Sequence, residues 1–113
     1  MATITLTWEK AASGGTPAKY KIYRRLGNFV EADVKSTPDG GFPITVNHVD
    51  SPAIQTFTDD GDNTNDATFV SVTGTYEAPA SQSEYSYTVT ALDSSSVESA
   101  EADNEANAKN VTA

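Results

Sequence analysis

The 113-residue chain contains no cysteine and only one each of histidine, tryptophan and methionine. The first absence removes a disulfide framework, thiolate chemistry and cysteine-ligated zinc together. The single histidine means that any Ser-His-Asp arrangement would have to be built on His48, which sits between Asn47 and Val49 beside an expected loop. Basic residues are also scarce. There are 7 Lys and Arg against 16 Asp and Glu, for a net charge of −9. Nucleic acid needs clustered cations to neutralise its phosphates, and an anionic membrane surface makes the same demand, so both drop out as partners. No run approaches the ~20 apolar residues of a membrane-spanning helix. No glycine-rich loop follows a strand and opens a helix, so nucleotide binding has no support. Residues 1–30 show no basic leader followed by an apolar stretch. Met1 therefore reads either as a natural start or as a methionine placed before an excised domain.

What is present reads as β-structure in one domain with a single core. Thr3-Ile4-Thr5-Leu6-Thr7-Trp8 alternates with period two, setting Ile4, Leu6 and Trp8 on one face and the threonines on the other. Ser13-Gly14-Gly15-Thr16-Pro17 supplies turn chemistry. Lys19-Tyr20-Lys21-Ile22-Tyr23-Arg24 resumes the alternation, with Tyr20 and Ile22 inward and the lysines outward. Five of the 7 basic residues lie between Lys10 and Arg25, a placement suited to cross-strand ion pairs on an acidic chain. Phe29–Val34 is expected as a weaker third strand, closed by the turn Thr37-Pro38-Asp39-Gly40-Gly41. Short strands are expected at Ile44–Val46, Ile54–Thr58 and Phe69–Thr73, and the clearest of all at Tyr85–Ala91. Many short strands separated by turn signals point to an antiparallel sandwich. From Ser94 onward there is little to bury. Residues 98–113 read as a C-terminal edge strand or extended arm beside a 1–97 sandwich.

Together, Leu6-Thr7-Trp8, the Tyr20-Lys21-Ile22-Tyr23-Arg24 run, Thr56-Phe57-Thr58-Asp59 and Tyr85-Ser86-Tyr87-Thr88-Val89-Thr90-Ala91-Leu92-Asp93 resemble a fibronectin type III domain of the bacterial and phage type. The resemblance covers nearly the whole chain and implies an all-β, immunoglobulin-like sandwich. In it these segments are strands B, C, E and F, Trp8 packs between the sheets, and Tyr85 is the corner tyrosine with its hydroxyl bonded back to backbone. Three departures stand out. No strand A precedes strand B. The E–F connection is enlarged to about Asp60–Glu84. Lys109–Ala113 reads as strand G or as the opening of a following repeat. A sheet without strand A leaves unpaired N–H and C=O groups. The C-terminal arm, the extra Phe69–Thr73 strand or a neighbouring subunit could cover them.

Few residues suggest chemistry. Asp60-x-Asp62-x-Thr64-x-Asp66 sets oxygen ligands at alternate positions, as a calcium-wrapping loop does. Position six of such a loop is Asn65 rather than glycine, and position twelve is Ser71, so a solvated Asx-rich turn is the simpler reading. No cofactor other than this candidate calcium is expected. Asn110-Val111-Thr112 fits a glycosylation sequon and lies in the strand-like tail. Phe69, Val70, Val72 and Tyr76 are the richest contact set for a protein partner, with Asn110, Val111 and Thr112 as a second; a satellite strand of the core is the simpler reading of the former. The expected function is a non-catalytic structural or adhesion module, best suited to a bacteriophage virion as a capsid decoration or tail component. Its partners would be other protein subunits, either its own copies or a virion scaffold, and its location the virion or a cell surface. The alternative is an accessory module from a secreted bacterial enzyme or adhesin that contacts glycans.

Overall fold

A computed structural model describes residues 3–9, 17–49, 54–62, 69–95, 97–98 and 109–112. Seven strands and one short helix are described: β1 (Ile4–Glu9), β2 (Lys19–Leu26), α1 (Glu31–Ser36), β3 (Gly41–Asn47), β4 (Ile54–Asp59), β5 (Phe69–Thr73), β6 (Glu84–Leu92) and β7 (Lys109–Thr112). They form two antiparallel sheets. One is the pair β1–β4; the other has the order β5-β3-β2-β6-β7.

The period-two alternation decides which side chains meet between the sheets. Ile4, Leu6 and Trp8 of β1 and Phe57 of β4 face Tyr20, Ile22, Ile44, Val46, Tyr87 and Val89 of the larger sheet, all in one cluster of buried residues. The Trp8 ring meets Tyr20 edge-on, with centroids 5.3 Å apart. The sheets are therefore held chiefly by this shared apolar interior, which orients them independently of the loops.

Phe29–Val34 is not a strand. Residues Glu31–Ser36 form α1, capped by Val30 in an extended conformation. The apolar spacing in this stretch, Val30 to Val34, is a helical i, i+4 spacing rather than a period of two. Glu31 and Asp33 stand in the first turn and Lys35 in the last, the charge order a helix dipole favours. Val34 is fully buried and anchors α1 on the outer face of β2 and β6. Its burial is worth about 2 kcal/mol. This cover explains a second departure from simple alternation. Ser86 and Thr88, on the outward side of β6, are buried nonetheless. Ser86 Oγ donates to the Gly27 carbonyl (2.7 Å) and accepts from the Phe29 N–H (2.8 Å), tying the start of the α1 connection to β6.

β5 lies in the long connection between β4 and β6 and extends the larger sheet beside β3, with register shifts against it. β7 pairs with β6 in the same chain, from Glu84↔Thr112 to Tyr87↔Lys109. Neither β5 nor β7 completes the β1–β4 sheet, which has no third strand among the described residues.

Candidate functional site

The most concentrated polar chemistry lies inside the fold, at the end of β4. Asp59 follows Phe57 on the inward face of β4, and Arg24 follows Tyr20 and Ile22 on the inward face of β2, so alternation brings both between the sheets. Asp59 is fully buried, and Arg24 is 5 % exposed. Arg24 Nη1 donates to Asp59 Oδ2 at 3.0 Å and to Oδ1 at 3.2 Å. Tyr76 Oη donates to Oδ1 at 2.8 Å and Tyr87 Oη to Oδ2 at 2.5 Å. Arg24 also donates from Nε to Asp39 Oδ2 (3.0 Å) and from Nη1 to the Glu77 carbonyl (3.1 Å). Its guanidinium lies 4.4 Å from the Phe42 ring centroid and 4.9 Å from that of Tyr85, a cation–π sandwich.

Burial opposes the charge on Arg24, yet Asp59 and then Asp39 outweigh it and raise its pKa, so the guanidinium stays charged. Burial and the neighbouring Asp59 carboxylate push both Tyr76 and Tyr87 well above the ordinary tyrosine range. These hydroxyls are donors locked onto a carboxylate rather than poised acids or bases. The bridge spends its hydrogen-bonding capacity on itself. It pins β4 of one sheet to β2 and β6 of the other.

Tyr76 reaches this bridge because glycine lets its strand connection come close. Gly41 has φ +91°, and a Cβ there would stand 2.5 Å from Tyr76 Cα. Tyr76 also stacks edge-on against Phe42, and its hydroxyl accepts from the Asp60 N–H (3.1 Å). Tyr85 is buried, and its hydroxyl accepts from the Ala80 N–H at 2.7 Å.

A second cluster sits on the outer face of the larger sheet. After Leu92 the chain turns, Asp93 bonding to Ser95 and Val97, and Glu98 returns to pair with Leu92. Glu98 Oε2 accepts from Tyr23 Oη and Thr90 Oγ1, both at 2.6 Å, and Lys21 Nζ lies 3.6 Å from Oε1. Burial alone would raise the Glu98 pKa, but the Thr90 and Tyr23 hydroxyls, with Lys21 and Lys35, lower it overall. Tyr23 is raised by burial and by Glu98. At the end of the core away from Asp59, Tyr20 Oη and His48 Nδ1 are hydrogen-bonded at 2.9 Å. Burial pushes the Tyr20 hydroxyl up to about 12. Trp8 Nε1 is buried there without a hydrogen-bond partner among the described residues.

The residues singled out from the sequence are distributed unevenly. Asp60 and Asp62 share one turn in which the Asp62 N–H donates to Asp60 Oδ1 (2.9 Å), an Asx turn; Asp66 lies outside the described residues. Among the described residues no three His, Cys, Asp or Glu side chains gather as a metal site. Val72 and Tyr76 pack against the core, whereas Val70 on the same strand is exposed; the Phe69 side chain lies outside the described set. Asn110, Val111 and Thr112 sit in β7 opposite Ser86, Tyr85 and Glu84, and Val111 packs on the core. Two open hollows of ≈ 570 Å³ and ≈ 460 Å³ share Glu77, Ala78 and Ala80; the smaller has Arg24 on its floor, already engaged by Asp39 and Asp59.

Arg24 and Asp59 were not among those candidates. Their signal was legible: opposite charges at in-facing positions of two strands, where alternation otherwise places apolar residues. Nor was the outer surface of the small sheet, where Thr3, Thr5, Thr7 and Thr56 are exposed and Thr58 is half-buried. No helix among the described residues is long and apolar enough to cross a membrane. No family model matches the chain, and neither a curated protein nor a solved structure matches it.

Proposed function

We propose that the chain is a non-catalytic structural module of fibronectin type III-like architecture that works by docking onto other protein subunits. One observation carries the reading. The interior polar groups that could do chemistry are engaged by one another around Asp59, while among the described residues the small sheet has no third strand and carries a row of exposed threonines. A locked interior with an edge that no described strand covers suits a part that transmits contacts rather than one that turns over a substrate.

The finer fold assignment draws on three features. The order β1–β4 against β3-β2-β6-β7 follows the immunoglobulin-like scheme of B–E against C′-C-F-G. Trp8 lies between the sheets, and Tyr85 makes the short return bond to Ala80 that a corner tyrosine makes. The α1 connection and β5 are additions to that scheme. A bacteriophage virion is the setting we favour, because an acidic adhesion-type module without nucleic-acid or membrane chemistry fits a part that attaches to a protein shell or tail.

Density-gradient fractionation of the source material, read with an antibody to the chain, tests the proposal. Sedimentation with particles, in repeated copies, is the expected result. Recovery only as an unattached small protein, together with turnover of a hydrolase substrate panel that is lost when the chain is removed, overturns it.

A further inference from the structure

We propose that the edge of β1 that no described strand covers pairs antiparallel with β1 of a second copy, closing a four-stranded sheet β4–β1–β1–β4 across a two-fold axis. This rests on the docking reading above and names the partner and the surface. The small sheet has only two strands among the described residues, so no described strand pairs with the far side of β1. β1 pairs with β4 through six consecutive positions, from Ile4↔Asp59 to Glu9↔Ile54, with no register shift. It contains no proline, no lysine and no bulge, devices that blunt an edge, and its one charged residue, Glu9, is its last.

The other edge strands differ. β5 meets β3 through register shifts, and β7 is four residues long and opens on Lys109. β4 is followed by Asp60 and Asp62 and has Asp50 four positions before Ile54, so antiparallel pairing of two β4 edges would set acidic ends side by side.

Charge selects a second copy at β1. On a chain of net charge −9, like copies repel over most approaches. At β1, Thr3, Thr5 and Thr7 are exposed and carry no charge, and the strand's one charged residue, Glu9, stands at its end. Pairing must keep threonines out and Ile4, Leu6 and Trp8 in, because a one-residue slip would exchange the faces. A register with Leu6 opposite Leu6 satisfies this and sets Thr5 opposite Thr7 of the copy. It also places Glu9 opposite Thr3, so the two Glu9 positions stand about 20 Å apart along the strands. That exceeds the screening length of about 8 Å at physiological salt.

Sedimentation velocity on the intact chain, from about 10 µM to about 1 mM, tests this against affinities typical of weak, small interfaces. The wild-type chain is expected to shift from monomer to dimer within that range. The double variant Thr5→Glu/Thr7→Glu puts like charges directly opposite across the pairing and should raise the dimer dissociation constant at least about tenfold; Thr5→Lys/Thr7→Lys should do the same. Circular dichroism checks that both remain folded. An equal mixture should recover a dimer containing one of each. Wild type that stays monomeric throughout, or dimers indifferent to both variants, overturns the proposal. A chain that rides on particles but is monomeric alone would sink self-pairing while leaving the docking reading in place.

Discussion

Replacing Asp59 by asparagine isolates the charge that pins β4 to β2 and β6 within the apolar interior. The substitution keeps the side-chain shape but exchanges one carboxylate oxygen for an NH2 group. Each oxygen of Asp59 accepts from Arg24 and from one tyrosine, Oδ1 from Tyr76 and Oδ2 from Tyr87. A tyrosine hydroxyl can rotate to accept from the new amide, so the tyrosine bonds are largely replaceable. Arg24 cannot respond in this way, since a guanidinium has no acceptor. Its Nη1 would lose a charged partner and keep the Glu77 carbonyl, while Nε keeps Asp39. Removing one member of a buried ion pair typically costs about 3–5 kcal/mol. The surviving Asp39 contact places D59N toward the lower end, about 3 kcal/mol. For a domain of this size that corresponds to a fall in Tm of roughly 12 °C. Urea unfolding followed by Trp8 fluorescence reads it directly, since Trp8 is buried in the same core. A companion pair, R24M with D59L, should cost less together than the two single changes summed, because no stranded charge remains. A loss below about 1 kcal/mol for D59N would refute the claim that this charge pair joins the sheets.

Other consequences are as specific. Tyr20, Tyr23, Tyr76 and Tyr87 are all raised above the ordinary value of 10.0, Tyr20 to about 12. Their stabilisation is complete below the unfolded-state pKa and is lost as pH rises from about 10 through the folded values, each tyrosine adding up to about 1.4 kcal/mol per pH unit. These four of the five tyrosines should therefore ionise in one cooperative step with loss of the β-sheet dichroism, whereas ionisation of all five near pH 10 in a folded chain would contradict the burial. Glu98, with its pKa lowered in the fold, contributes above the ordinary glutamate value of 4.5 and loses that contribution as pH falls through its folded pKa. Glu98→Gln should cost about 1–2 kcal/mol at neutral pH and remove that part of the acid-side loss, measured by thermal melts across pH. Gly41→Ala forces a φ of +91° on alanine and drives its Cβ to 2.5 Å from Tyr76 Cα, so it should destabilise by more than about 2 kcal/mol in the same urea assay.

Strands with one clean period were legible residue by residue. Ile4, Leu6 and Trp8 faced inward as the alternation of β1 required, and so did Tyr20 and Ile22 of β2. Alternation failed where a second layer covers the sheet. Ser86, Thr88 and Thr90 look like outward residues of a half-exposed strand, yet α1 and Glu98 bury them from positions distant in sequence. α1 was itself misread as a strand because Phe29 and Val30 are β-formers, although the Val30 and Val34 spacing and the charges of Glu31, Asp33 and Lys35 are helical. The bridge around Asp59 depends on four segments meeting, and only the inward parity of Arg24 and Asp59 hinted at it. Phe69–Thr73 was expected as a strand and is β5, and the tail, left open between edge strand and extended arm, holds β7; strand propensity carries no information about which edge either joins.

The central claim is that β1 keeps an edge that no other described strand covers, with a threonine row beside it, through which the module docks. Amide hydrogen exchange along Ile4–Glu9 tests it most directly. In dilute solution, alternate β1 amides should be protected by β4 while the intervening ones exchange at nearly the rate of free chain. Raising the concentration into the dimer range should slow that second set alone. Protection of all six amides in the dilute monomer would mean the chain already covers its own edge, and the account would be wrong.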